Sequence, residues 1–178
     1  VIIFRVEVDK EGFDWLPLRS AYIGRFMLSG ALSMGQGLIV SVGSLMIGVQ
    51  TANALAFIAT ATLIGPIYFS IIYALAAALS HVGRALAILL VVLQIPGASG
   101  IYPIELMPGF FRGLYPLLPF SYGIDAMRET IGGFYAGHYW RLMAILLLMS
   151  TSALLLGFLG RRHLGYFTQL FYNDLART

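Results

Sequence analysis

Between Pro96 and Gly133 the candidates for chemistry are Glu105, Arg112, Tyr122, Asp125, Arg128 and Glu129. The run that carries them, PGASGIYPIELMPGFFRGLYPLLPFSYGIDAMRETIGG, is otherwise mostly apolar and aromatic. Asp125 and Arg128 are three apart and Glu129 follows Asp125 by four, so on a helix they share a face and the first two can pair. Glu105 comes just after a proline and has only Arg112 as a local basic partner. An ionisable group at membrane depth is costly and marks a functional candidate. Two roles fit these residues: holding a hairpin in shape at a half-hydrated interface, or forming a gate or substrate contact. His138, beside Tyr139 and Trp140, reads as part of an interfacial belt, and a lone histidine gives no metal site.

Membrane depth is implied by the rest of the chain. Between Arg25 and Glu105 the single formal charge is Arg84, and the composition is 59% hydrophobic and 11% charged in 178 residues. A soluble chain of this size cannot sequester so much apolar surface. A crossing helix needs about 20 residues at 1.5 Å each. Phe26 to Val49 and Ala54 to Leu79 are long enough, and Leu142 to Leu159 is extended by Tyr139 and Trp140. Ala85 to Ile95 is short unless it continues, kinked or broken, through Pro96-Gly97-Ala98-Ser99-Gly100. The expected architecture is a single all-α membrane domain. Its spans fall at 22–50, 53–80, 83–100 and 139–160, the third of them broken, with an outward-facing re-entrant helical hairpin at 101–138 before the last.

Five of the seven prolines, at 96, 103, 108, 116 and 119, forbid one continuous helix through that outer segment. Its apolar bulk is equally wrong for a loop in water. The spacing predicts a short helix over Met107 to Leu114, a corner at Pro116 to Pro119, and a second helix from Tyr122 to Ile131. Ser121 is the expected N-cap and Gly132-Gly133 the stop.

Basic residues orient the spans. Arg19, Arg25, Arg84, Arg161 and Arg162 fall on one side, so residues 1–20, the His81 to Arg84 turn and the tail at 161–178 are expected in the cytoplasm of a bacterial cell and residues 97–138 outside. Arg84 is expected to snorkel toward the headgroups. The chain opens at Val1 inside an apolar run ending at Phe4, which reads as the end of a preceding span in a longer protein. Glu7, Asp9, Lys10, Glu11, Asp14 and Trp15 belong to an amphipathic segment, Arg5 to Ser20. It suits the cytoplasmic headgroup layer or, with outside support, docking of a partner.

Within the spans, Ser29, Ser33, Gly37 and Ser41 recur every fourth residue and make a small-residue packing face. It can serve a helix of the same chain, a dimer interface or a translocation wall. Gln36 and Gln94 must find hydrogen bonds, so both are expected to face protein or a wet cavity, as interhelical glue or as pathway lining. Pro66, after Gly65, should kink its helix.

The stretch from Leu90 to Gly133 resembles the C-terminal membrane domain of the YhgE/Pip phage-infection-protein family, within the type-2 ABC exporter permease superfamily. The matching positions are Gln94, Pro96-Gly97, Ser99-Gly100, Tyr102 to Glu105, Pro108 with Phe110-Phe111, Pro116, Pro119 to Tyr122, and Asp125 through Glu129, with Val82-Gly83-Arg84 before them. The resemblance implies that the spans are the last four of six membrane helices. It also implies that Arg5 to Ser20 is the loop that touches the ATPase, and that a large extracellular region lies between the first two helices of the whole protein.

Several classes are disfavoured by the sequence itself. The +3 charge is too scattered for nucleic acid, and there is no cysteine for a disulfide or thiolate. No phosphate loop, H-E-x-x-H, G-x-S-x-G or ligand cluster is present, so neither an enzyme nor a bound cofactor is expected. Two readings of different class remain. One is half of a homodimeric permease that moves an amphipathic or lipid-linked substrate and is driven by a separate ATP-binding cassette subunit. The other is a membrane anchor in the lipid bilayer for a surface receptor that phage would reach through the extracellular region.

Overall fold

The computed structural model describes residues 18–175, with side chains within residues 22–160 apart from Arg25, Ser80 and His81. The expected segments Val1 to Phe4 and Arg5 to Ser20, including Glu7, Asp9, Lys10, Glu11, Asp14 and Trp15, therefore lie outside the described residues save for the backbone of 18–20. The described chain is helical: α1 (Leu18–Met46), α2 (Ala54–Gly97), a 3-10 turn (Ile104–Leu106), α3 (Gly109–Leu114), a second 3-10 turn (Tyr115–Leu117), α4 (Pro119–Gly132) and α5 (His138–Leu175). Among the described residues three stretches are long and apolar enough to cross a membrane, Tyr22–Met46, Ala54–Leu79 and His138–Gly160, and Val82–Gly97 is a shorter apolar helix. This pattern fits a multi-pass membrane protein.

Helical hydrogen bonding is continuous through α2, where the sequence suggests two helices, yet the chain reverses inside it. A Cβ at Gly83 would lie 2.7 Å from the carbonyl carbon of Leu75, eight residues earlier; a straight helix would separate them by about 12 Å. Two neighbours on α4 give the same answer. Gly123 abuts Tyr68, and Ile124 abuts Gly100; a straight helix continued to residue 100 would hold those two targets about 48 Å apart. So α2 has two antiparallel arms, Ala54–Leu79 and Val82–Gly97. The glycine lets the arms touch backbone to backbone at the reversal.

The first arm is the centre of the bundle. Its start is capped by Asn53, whose Oδ1 accepts from the Ala56 N–H at 3.0 Å. Helix α1 packs antiparallel on it along the small-residue face: Ser41 is buried, Gly37 abuts Ala61 and Thr62, and a Cβ at Gly65 would meet the Ser33 carbonyl oxygen at 2.6 Å. Ser33, Gly37 and Ser41 of that face thus lie against a helix of the same chain. Helix α5 runs parallel to the first arm, since Thr60 meets Tyr139, Ser70 meets Ser150 and Ala74 meets Gly157 in ascending order on both. Pro66 stays inside the helix.

Apolar packing concentrates at two levels. Ile64, Ile67, Ala126, Leu142, Met143 and Leu146 form one cluster, with Tyr139 at its edge. Tyr22, Tyr73 and Ala77 form the other, with Phe26, Phe69, Leu154 and Phe158 against it. The remaining faces are apolar and uncovered, for example Ile39, Met46, Leu148 and Leu156. Hydrocarbon is the solvent that such faces require.

Several expected boundaries move. Helix α4 starts at Pro119, and Ser121 is not its cap: proline fits the first helical position because it lacks the N–H that would be unpaired there, and Ser121 Oγ donates to the Tyr115 carbonyl at 2.9 Å. The short helix begins at Gly109, because Pro108 takes an extended ψ at the N-cap position. The expected tail from 161 is helical, continuing α5 to Leu175.

Candidate functional site

The segment from Ala98 to Gly137 is built on the broken end of the second arm. Helix α2 ends at Gly97 with Ala98 as its C-cap, and Ser99 follows with φ +59°, a left-handed conformation unusual for a residue with a Cβ. Ser99 is also buried. Arg128, projecting from α4, holds it: Nη1 donates to Ser99 Oγ at 3.2 Å and Nη2 to the Ser99 carbonyl. The same guanidinium donates to Asp125 Oδ1 at 2.9 Å, the pair expected from their spacing. A cation thus sits just beyond a helix C-terminus, where unpaired carbonyls favour positive charge.

Asp125 has a second donor, Tyr115, whose hydroxyl reaches Oδ2 at 2.6 Å. Burial, and next the hydrogen bond and charge of Asp125, push the Tyr115 phenol well above the usual tyrosine range, with Arg128 acting the other way. The phenol therefore stays a donor at any physiological pH. Tyr122 donates to the Pro116 carbonyl at 2.7 Å and packs its ring on the cluster around Leu146. Tyr115, Ser121 and Tyr122 together pin the proline corner onto α4.

A second polar group closes the other end of α4. Glu129 is nearly buried; its Oε1 meets His138 Nδ1, and its Oε2 accepts from the Tyr135 N–H at 3.4 Å. The loop between bends through Gly133, Ala136 and Gly137, all at positive φ. The α1–α2 connection joins here too, its Ala52 and Asn53 N–H groups donating to the carbonyls of Ile131 and Thr130 at 3.1 and 3.3 Å. Below, Tyr139 and Thr60 share a buried hydrogen bond of 2.7 Å between their hydroxyls.

The remaining candidates lie apart. Glu105 and Arg112 are exposed, Glu105 in the first 3-10 turn and Arg112 on α3, and the two form no ion pair with each other. Gln94 is 3% exposed, and its Oε1 has no hydrogen-bond partner among the described residues. Gln36, expected to face protein or a wet cavity, is exposed on α1. Arg84 is half-buried with its Nε unpaired among the described residues, so its guanidinium is not simply extended into solvent. Among the described residues no three His, Asp or Glu side chains gather as metal ligands.

Ser99, Tyr115 and the pairing of His138 with Glu129 were not singled out from the sequence. A serine directly after Pro-Gly-Ala at a helix break carries some signal. Tyr115 carries none, because the corner at Pro116 to Pro119 sets its distance from Asp125.

This arrangement fits a multi-pass helical membrane protein in which the described charged side chains other than Arg84 fall between residues 105 and 141. The chain is similar to the uncharacterized protein YhgE of Bacillus subtilis (strain 168), 27% identical over 139 residues, which are 78% of this chain and 17% of YhgE. The chain thus spans about a sixth of that protein's length. The match supports a YhgE-like family. No family model matches the chain, and no solved structure does.

Proposed function

We propose that this chain is the membrane-embedded part of an ABC-type exporter permease of the type-2 superfamily, dimeric and driven by a separate ATP-binding subunit, which moves an amphipathic or lipid-linked substrate across the bacterial plasma membrane. In this reading α1, the two arms of α2 and α5 each cross once, residues 101–138 re-enter the outer leaflet, and both the Arg5 to Ser20 loop and the C-terminus are cytoplasmic. The observation that carries it is the seat of Arg128 on Ser99. The outer segment is attached through a charged, hydrogen-bonded group to the end of a transmembrane arm, so a shift of that arm would move the outer closure. Broken helices at this depth are tolerated where protein covers them, and α4 meets that condition on the first arm.

Glu105 offers the cleaner test of transport. It is exposed and makes no hydrogen bond or ion pair among the described residues, so Glu105→Ala should leave folding intact. The full-length protein carrying it should reach the membrane in normal amount and lose export. Purified gently, the wild type should bring down a stoichiometric ATP-binding subunit that is lost when Arg5 to Ser20 is scrambled. A competing reading, a membrane anchor for a cell-surface receptor, draws on the share of YhgE that the match leaves out. Repeated absence of any ATPase from an intact preparation would favour it.

A further inference from the structure

Gln94 is buried on the second arm, and its Oε1 meets no donor among the described residues. A buried acceptor left bare is costly, and a folded chain keeps few of them without a use. Its neighbours show where a donor would stand. Gly97, three residues on and on the same side of the helix, is covered by Leu118 and Phe111. Counted from the touching pair Gly83 and Leu75, Gln94 and Ile64 are each eleven residues along, so they stand at one level of the antiparallel arms. Ile64 and the Tyr68 hydroxyl border Gly123 of α4 at that level.

Tyr68 is itself poorly served. Its hydroxyl reaches the Phe120 carbonyl only at 3.5 Å, the outer limit of a hydrogen bond. An amide oxygen that accepts and a phenol that donates therefore lie at one level beneath the start of α4. The cover over them is smooth: the buried positions of α4 are Pro119, Ser121, Gly123, Ala126 and Thr130, all small. Lifting such a helix forfeits less packing than withdrawing a leucine-sized side chain. Gly123 rests directly on Tyr68, where an added Cβ would come 2.8 Å from Cζ.

We propose that Gln94 and Tyr68 form a seat for a neutral hydroxyl group of the transported amphiphile, closed by α4 in this structure and opened when α4 lifts. A hydroxyl donates one bond and accepts others, so a single sugar hydroxyl serves Gln94 Oε1 and the Tyr68 O–H together. An anion suits the seat less well, because Arg128, the one cation α4 carries, is engaged by Asp125 and Ser99. The proposal rests on the permease reading given above and names the part of the substrate that this site would recognise.

The test uses a cysteine-free background of the full-length protein in lipid vesicles, to which this chain contributes no cysteine of its own. Ala98 is wholly buried on the Gln94 side of the second arm, and Ala76 is wholly buried near the reversal. Ala98→Cys should react slowly with a small hydrophilic methanethiosulfonate, yet faster than Ala76→Cys. Adding Gly123→Ala, which presses on Tyr68, should speed the Ala98→Cys reaction by about tenfold to hundredfold, the shift in local opening that overpacking brings. Ala76→Cys should stay protected. In that opened background, vesicles of phosphatidylglycerol mixed with glucosyl diacylglycerol should slow the reaction by about threefold or more relative to phosphatidylglycerol alone. Gln94→Met or Tyr68→Phe should abolish the slowing. Equal rates at positions 98 and 76, or an acceleration shared by both, overturn the lifting of α4. Acceleration at position 98 without protection by the glucosyl lipid makes water the occupant and overturns the sugar-hydroxyl seat. Each of these leaves the permease reading standing, since that reading falls only when no ATP-binding subunit accompanies the purified protein.

Discussion

The junction of α1 with the first arm of α2 and the proline-rich segment around α4 are held together by opposite means. At the first, small residues bring backbones together: Gly37 rests on Ala61, Gly65 on Ser33, and Ser33 and Ser41 turn their hydroxyls back to carbonyls of their own helix. At the second, a guanidinium, two carboxylates, tyrosines and a histidine bridge the proline-broken elements, while α4 itself also packs on the first arm. Each solution suits its place. Among lipid tails helices gain nothing from apolar burial as such, so close packing must supply the association. Where proline breaks the helices, freed backbone groups have to be satisfied by side chains.

Removing apolar mass should hurt most. Leu146, wholly buried, faces Ile64, Ile67 and Ala126. Leu146→Ala should cost about 2–5 kcal/mol by the usual measure of buried leucine truncation. Thermal unfolding in detergent, followed by tryptophan fluorescence, reads the loss; a midpoint unmoved by this change would mean that the cluster is not packed as described. Next comes overpacking of the tight junction. Gly37→Val would press a branched side chain onto the Ala61 and Thr62 backbone, where a Cβ already comes within 3.0 Å of the Thr62 Cα. A penalty of about 1–3 kcal/mol is expected. Ala31→Val, at an exposed position of the same helix, should be far milder; equal effects would erase the distinction between the packed junction and the exposed flank of α1.

The two regions also differed in how much could be read beforehand. The apolar spans and the Ser33-Gly37-Ser41 face show as unbroken hydrophobicity and a four-residue period, both local signals. The Asp125–Arg128 pair is equally local, three residues apart on one helix. Contacts of Arg128 with Ser99, Tyr115 with Asp125, and His138 with Glu129 are not local. Each depends on the turn angle at a proline or glycine, and proline position tells where a helix stops but not where the chain goes next. Ser121 shows the same limit. As a serine before an apolar helix it has the look of a cap, yet Pro119 claims the start of α4 and the hydroxyl is spent on the corner instead.

Breaking the polar region should have a smaller effect on folding and a larger one on function. Arg128 is half exposed, so water screens part of its charge. Arg128→Gln keeps one donor for Ser99 and loses the ion pair, which should cost about 1–2 kcal/mol. Arg128→Ala leaves Asp125 dependent on Tyr115 and frees Ser99 from its left-handed conformation. Limited proteolysis at residues 99–108 should then accelerate while the rest of the bundle keeps its protection. Uniform loss of protection would show that the proline-rich segment and the bundle unfold as one unit.

The smallest effect belongs to Tyr115, and its sign is fixed by the direction in which the fold moves the phenol. Because burial and Asp125 raise it above the ordinary tyrosine value of about 10, the folded state holds the proton more tightly than the unfolded chain. That stabilisation is complete below pH 10 and is lost as pH climbs through the raised value, so the wild type should weaken on the alkaline side with no matching change between pH 6 and 9. Tyr115→Phe removes the hydrogen bond to Asp125, lowering stability by about 1 kcal/mol at neutral pH. It also deletes this residue's share of the alkaline slope. The test is the difference between variant and wild type, measured as unfolding midpoint against pH. A gap that narrows above pH 10 is what the Tyr115–Asp125 bond requires; a gap constant across the range would mean that the hydroxyl spends its time in water and that Asp125 is held by Arg128 alone.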